Sequence, residues 1–242
     1  MLKSPNAILT LVAINVGAYL AIHLLNINVM EMLALYYPGN PKWWFGQFLT
    51  HIFIHGGLTH ILFNMYGLWA FGTPLLKLWG STRFVLFFLI TGIGAGLIFT
   101  LVNYLQFTAL YEEIHALNVS AQAIQALLEK GQVPNNLTQG FPSEKLQELF
   151  QIYHSPVVGA SGAIYAILVA FAVLFPNAKM MLIFIPYPIK AMYFVPIIIL
   201  GDVFFGMTRY SVGNIAHFAH VGGAIMGLII VLVWRWRYKG HL

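Results

Sequence analysis

His60 and Asn64, Ser161 within Gly159-Ala160-Ser161-Gly162, and His220 within Ala219-His220 are polar groups set inside long apolar stretches of a 242-residue chain. Hydrocarbon penalises such side chains, which persist in membrane segments where they pair with one another or perform chemistry. A serine hydroxyl is a weak nucleophile until a neighbouring base takes its proton. An imidazole titrating near neutral pH can accept that proton and return it to a leaving amine. Ser161 is therefore the candidate nucleophile and His220 the candidate base of a hydrolytic dyad. Negative charge developing on a scissile carbonyl oxygen needs donors in a low-dielectric pocket. The His60 imidazole, the Asn64 amide and the Ser161 backbone N–H, at the positive end of a helix, are the candidate donors.

Membrane helices must carry these groups, because 60% of the residues are hydrophobic and only 8% are charged, against roughly 25% charged in soluble domains. The composition predicts an all-α polytopic membrane protein. Low-charge runs long enough to span a bilayer place six helices over residues 7–25, 58–76, 84–105, 157–175, 189–206 and 214–234, within one membrane domain covering 1–242. Met180 to Pro188 is too short and too proline-rich to span and is expected to be an interfacial loop. The first apolar run is full length and has no convincing small-residue cleavage site, so it is expected to stay as an anchor. The net charge of +5 forms no patterned basic face, and nucleic acid is not an expected partner. Cysteine is absent, which removes disulfides and thiolate chemistry from consideration.

Lys and Arg in short loops are retained on the cytoplasmic side. With the N-terminus inside, eight basic residues (Lys3, Lys77, Arg83, Lys179, Lys190, Arg235, Arg237 and Lys239) fall inside and four (Lys42, Lys130, Lys145 and Arg209) outside. Both termini are therefore expected in the cytoplasm. Outer segments then cover residues 26–57, rich in interfacial aromatics such as Trp43, Trp44 and Phe45, and 107–156. The second is unusually long, and apolar spacing over Glu112 to Lys130 and Ser143 to Tyr153 predicts two amphipathic helices, separated by the turn-rich Gly131 to Asn136. They read as a lid or packing element. Asn118 and Asn136 head Asn-x-Ser/Thr triplets, acceptors for glycosylation in a secretory pathway.

In this orientation the second, fourth and sixth helices all run inwards, and His60, Asn64, Ser161 and His220 lie near their starts. At 1.5 Å per residue they meet roughly 3 to 9 Å below the outer rim. His60 and Asn64, four apart, share a face. Gly162, Ala166 and Ala170 on the fourth helix, and Gly223 and Gly227 on the sixth, are small-residue stripes that let membrane helices approach closely. Gly227 lies about 20° round the helix from His220, so close packing brings the imidazole towards the hydroxyl.

Other residues compete for these roles. His217, three positions from His220, is the rival base. His51, His55 and His60 are spaced as possible metal ligands, but His-Glu-x-x-His and a nearby acid are missing, so neither a metal nor any other cofactor is expected. Asp202 in the fifth helix has no evident link to His220 and reads as a helix-end or interface residue, which leaves a dyad. Gly92, Gly94 and Gly96 are expected to serve helix packing.

Three ordered motifs, His55-Gly56-Gly57-Leu58-Thr59-His60-Ile61-Leu62-Phe63-Asn64-Met65, Gly159-Ala160-Ser161-Gly162, and Ala219-His220-Val221-Gly222-Gly223 with Gly227, together resemble the rhomboid intramembrane serine proteases. The resemblance implies a six-helix bundle of the bacterial type that cleaves transmembrane protein substrates near their outer ends. It implies a Ser161/His220 dyad and an oxyanion site from His60, Asn64 and the Ser161 amide. It also implies that Tyr165 packs on the His220 ring and that His55 and Gly159 are structural or supporting. Two features depart from the family pattern: Gly46-Gln47 replaces a Trp-Arg pair, and the 107–156 segment is long. The implied setting is a bacterial inner membrane, with substrates and lipid as partners and the site opening outwards. A catalytically silent relative that binds or escorts membrane clients would be marked by loss of Ser161 or His220, and both are present. A small transporter would need charged or broken-helix sites at mid-membrane.

Overall fold

A backbone in hydrocarbon must satisfy its own hydrogen bonds, which apolar runs achieve by closing into helices. In the computed structural model, residues 6–24, 29–117, 119–130, 143–182, 185–208 and 216–237 are described. The membrane bundle contains α1 (Ala7–Leu24), α4 (Leu58–Ala116), α7 (Ser161–Leu174), α8 (Ala191–Met207) and α9 (His217–Arg237). Helix α4 folds back on itself at Gly80, whose φ of 77° is open to glycine at little cost. Its two legs bring the bundle to six spans, as expected. Among the described residues, α1, α4 and α9 are long and apolar enough to cross a membrane, and α7 and α8 are shorter apolar helices.

Helix α7 is the central pillar. At 14 residues it is about 21 Å long, shorter than a bilayer core of about 30 Å. Of the ten residues from Gly162 to Phe171, every one but Tyr165 is buried. Protein rather than lipid surrounds it, so its length need not match the membrane. It starts at Ser161, not near 157 as the hydropathy predicts, because Val157 pairs with Leu35 in an isolated antiparallel bridge instead. The core packs α7 against α4, α8 and α9, with α1 against α4 and with Phe84, Phe87 and Phe88 fully buried.

The glycine stripes perform as predicted. A Cβ on Gly223 would run into the Gly162 carbonyl, and one on Gly227 would lie 2.6 Å from the Ala166 Cα. The backbones of α7 and α9 therefore touch where side chains would separate them. Gly92, Gly94 and Gly96 likewise admit Ile52, Met226 and His51 against α4.

Outside the bundle the structure departs from the predicted layout in three places. The second leg of α4 does not stop near 105 but continues to Ala116. The amphipathic segment predicted from 112 is thereby split between the end of α4 and α5 (Ala121–Lys130). Helix α6 (Ser143–His154) forms where expected, and the three pieces close a small core of their own around Ile114, Ile124, Leu128 and Leu149. Lys179–Leu182 and Ile185–Lys190 form an antiparallel strand pair, β1 and β2, where an interfacial loop was expected. Short strands with proline at the edge remain compatible with that sequence. The turn at 131–136, Asn118 and Asn136 lie outside the described residues.

From residue 29 to 57 the first loop is folded rather than draped. It contains α2 (Met30–Leu33), α3 (Gln47–Thr50) and a 3₁₀ turn (His51–Phe53). Gln47 is fully buried; its amide donates to the Met32 and Lys42 carbonyls and its side-chain oxygen accepts the Tyr36 N–H. The residue that breaks the family's Trp-Arg pattern is thus the one that ties this loop together.

Candidate active site

Three elements deliver the predicted groups to one end of the bundle. Ser161 is the first residue of α7, so its N–H has no intrahelical acceptor. His220 lies in the first turn of α9 and His60 in the first turn of α4, with Asn64 one turn on. His220 Nε2 sits 2.9 Å from Ser161 Oγ, the separation at which an imidazole can take the hydroxyl proton. The Tyr165 ring stacks on the His220 ring at 4.3 Å and 11°, which restricts its rotation.

Gly159 fixes the approach to Ser161. Its φ of 118° lies where an L side chain is strained, and a Cβ there would fall 2.7 Å from the His60 ring. Its N–H donates to the His51 carbonyl at 2.9 Å, while Leu35 and Val157 exchange backbone hydrogen bonds of 3.0 and 2.9 Å. The serine loop is in this way pinned to the folded first loop. The Asn64 Nδ2 is buried without a partner and points to the same corner, 3.5 Å from that hypothetical Cβ. An unpaired buried amide donor carries a desolvation cost that a developing oxyanion would relieve.

His55 is fully buried and lies with its ring 5.0 Å from that of His60. Burial pushes its imidazole down to about 4, so it is a neutral packing group behind the site. His51, also buried, is held down to about 4 by the same cause; its Nδ1 lies 2.7 Å from the Gln47 carbonyl.

The structure corrects the sequence in one respect at the centre of the site. Asp202, on α8, places Oδ1 3.1 Å from His220 Nδ1 and 2.6 Å from His217 Nδ1. Asp202 is 7% exposed. A lone Asp fifteen residues before one histidine and eighteen before the other has no periodic relation to them, and only the packing of α8 on α9 joins them. His217 and His220 therefore do not compete for one role: His220 faces the serine and His217 faces Asp202. These three also form a group whose ligand atoms lie within 4.8 Å of one another, a composition that could hold a metal ion. Their Nδ1 and Oδ1 atoms are already engaged with one another. The predicted metal candidates His51, His55 and His60 do not form such a group among the described residues.

A cavity of about 970 Å³ opens over the pair, lined by Tyr36, His60, Phe63, Val158, Ser161 and His220. It lies between the first loop and the start of α4 and opens onto Ser161.

A polytopic helical bundle with these motifs at one end defines a class of membrane protein. The chain belongs to the rhomboid family: the Rhomboid domain pattern matches residues 40–110 and 134–237, well over half of it. It is 35% identical over 100 residues to Rhomboid-like protein 11, chloroplastic, of Arabidopsis thaliana, covering 41% of this chain and 35% of that protein. Rhomboid protease GluP of Bacillus subtilis is 42% identical over 52 residues, 22% of this chain and 10% of GluP. Presenilin-associated rhomboid-like protein, mitochondrial, of Homo sapiens is 26% identical over 224 residues, 86% of this chain and 45% of that protein. The chain spans less than half the length of each of these relatives. The family includes intramembrane serine proteases, and the chain is a membrane protein of that family.

Proposed function

We propose that this chain is a serine endopeptidase that hydrolyses peptide bonds in or near transmembrane segments of membrane protein substrates. The observation that carries the reading is the 2.9 Å contact between Ser161 Oγ and His220 Nε2 inside a helical membrane bundle. In the first step Ser161 Oγ attacks the scissile carbonyl carbon as His220 Nε2 takes the hydroxyl proton. The carbonyl oxygen becomes an oxyanion, held by the Ser161 N–H, the Asn64 amide and the His60 imidazole. His220 then passes the proton to the departing amine nitrogen, the C–N bond breaks, and an acyl-Ser161 ester remains. Water, deprotonated by His220, attacks that ester and releases the carboxylate product, returning Ser161 to its hydroxyl form. No metal or cofactor enters this scheme.

A substrate helix must unwind locally to present a carbonyl to Ser161, so helix-breaking Gly or Pro near the cut favours cleavage. Both termini lie in the cytoplasm on the charge distribution of the loops, with the cavity facing the opposite side. A bacterial inner membrane is the location this reading takes; relatives in plastids and mitochondria make organellar membranes the competing location. The escort reading is disfavoured because both groups of the dyad are present and in contact.

A serine-directed fluorophosphonate probe tests the reading. The folded wild type is expected to label and Ser161→Ala not to label, in parallel with cleavage of a transmembrane reporter. Absence of labelling, or equal labelling of the two proteins, would refute it.

A further inference from the structure

We infer that Asp202 is a third, positioning member of this site, fixing the tautomer and orientation of His220, with His217 bracing the carboxylate from its far side. The inference rests on the Ser161/His220 reading above. For His220 to act as a base its Nε2 must present a lone pair to Ser161, which requires the ring proton on Nδ1. Asp202 Oδ1 stands 3.1 Å from that Nδ1, so the Nδ1–H donates to the carboxylate and leaves Nε2 bare towards the hydroxyl 2.9 Å away. A carboxylate so placed selects one tautomer and stabilises the imidazolium formed when the proton arrives.

The carboxylate is itself held. His217 Nδ1 donates to the same Oδ1 at 2.6 Å, and the Tyr165 ring stacks on His220 beside it. A buried carboxylate persists where donors flank it, and here two imidazoles flank one that is 7% exposed. The titratable groups facing His220 are then Asp202 from α8, Tyr165 from α7, His60 from α4 and His217 from its own helix. Of these only Asp202 is an acceptor at Nδ1. Each proton transfer of the scheme stays between Ser161, His220 and substrate, and Asp202 keeps its charge throughout.

The test is transmembrane reporter cleavage by wild type, Asp202→Asn and Ser161→Ala in the same detergent, with serine-probe labelling and melting curves. For Asp202→Asn we expect kcat to fall roughly 10²- to 10⁴-fold with KM little changed, because an amide donates a proton to Nδ1 and favours the wrong tautomer. The acid limb of kcat/KM should move to lower pH, since the carboxylate no longer favours imidazolium. A purely structural role would lower the melting temperature without moving that limb. A folded Asp202→Asn protein with kcat and acid limb within twofold of wild type would overturn the inference. A wild type that neither cleaves nor labels would instead refute the serine-protease reading. If Asp202→Asn does not fold, ¹⁵N-histidine spectra of the wild type decide. The His220 signals, identified by their loss in His220→Gln, should show a protonated Nδ1 and a bare Nε2, and the reverse tautomer would overturn the inference.

Discussion

At the Ser161 end of the bundle, contact depends on side chains that are absent, whereas in the lobe built by α5, α6 and the end of α4 it depends on side chains that are large. Gly162, Gly223 and Gly227 let α7 and α9 meet backbone to backbone, and that approach sets the 2.9 Å between His220 and Ser161. The lobe closes over Ile114, Ile124, Leu128 and Leu149 and joins the first loop through Asn40 Nδ2 to the Tyr153 carbonyl and the Tyr153 hydroxyl to the Gly39 carbonyl. Lys145 and Glu113 form an exposed ion pair across it, which contributes little. One region is thus specified by shape and the other by apolar area. Water removes apolar surface from view in the lobe, but lipid offers no such drive between membrane helices, so close packing must come from small residues.

The contrast can be broken at four points. The largest effect falls on chemistry without structure: Ser161→Ala and His220→Ala should each reduce reporter cleavage by at least about 10³-fold while leaving the melting temperature within a few degrees. A variant that keeps one tenth of the activity would detach the site from the function. Next is Gly223→Leu, which forces α7 and α9 apart against the Gly162 carbonyl and should cost more than about 4 kcal/mol. Its readout is a lowered melting temperature together with lost probe labelling, and a stable, labelled protein would show that the stripe is dispensable.

Leu149→Ala opens a cavity in the lobe and should cost about 3 kcal/mol there. Hydrogen exchange would accelerate in α5 and α6 while labelling of Ser161 stays unchanged; loss of labelling would mean that the lobe shapes the site. The smallest effect is on pH. His51 and His55 titrate near 4 in the folded protein, below the ordinary 6.5, so protonation favours unfolding. Stability is full above about pH 6.5 and declines as pH falls towards 4, by about 2 kcal/mol per imidazole between pH 7.5 and 5. His55→Asn should flatten that decline, and a decline equally steep would assign it elsewhere.

Much of this was legible in the chain. Helix number followed from low charge and run length, and the roles proposed for Ser161, His220, His60 and Asn64 were suggested by their order and their position in apolar surroundings. Tyr165, predicted to lie over His220, stacks on it. Less legible were the ends of the elements, because the hydropathy of 157–160 and of 106–116 does not distinguish helix from paired or extended chain. Gln47 was visible only as a departure from a family pattern. Its three hydrogen bonds reach backbone groups five to fifteen residues away, a loop closure with no periodic signature.

Asp202 marks the boundary between the two sources of information. The sequence by itself determined a helical membrane protein of six spans, the candidate residues for a hydrolytic site, and the glycine stripes that bring two of its helices together. Those properties are local or periodic: composition selects the solvent, and a helix turns residues three or four apart onto one face. Tertiary structure alone decided that Asp202 meets His220, and that His217 faces the carboxylate and not the serine. Which faces of α8 and α9 touch depends on how each packs against α7, and no spacing within either helix encodes that contact.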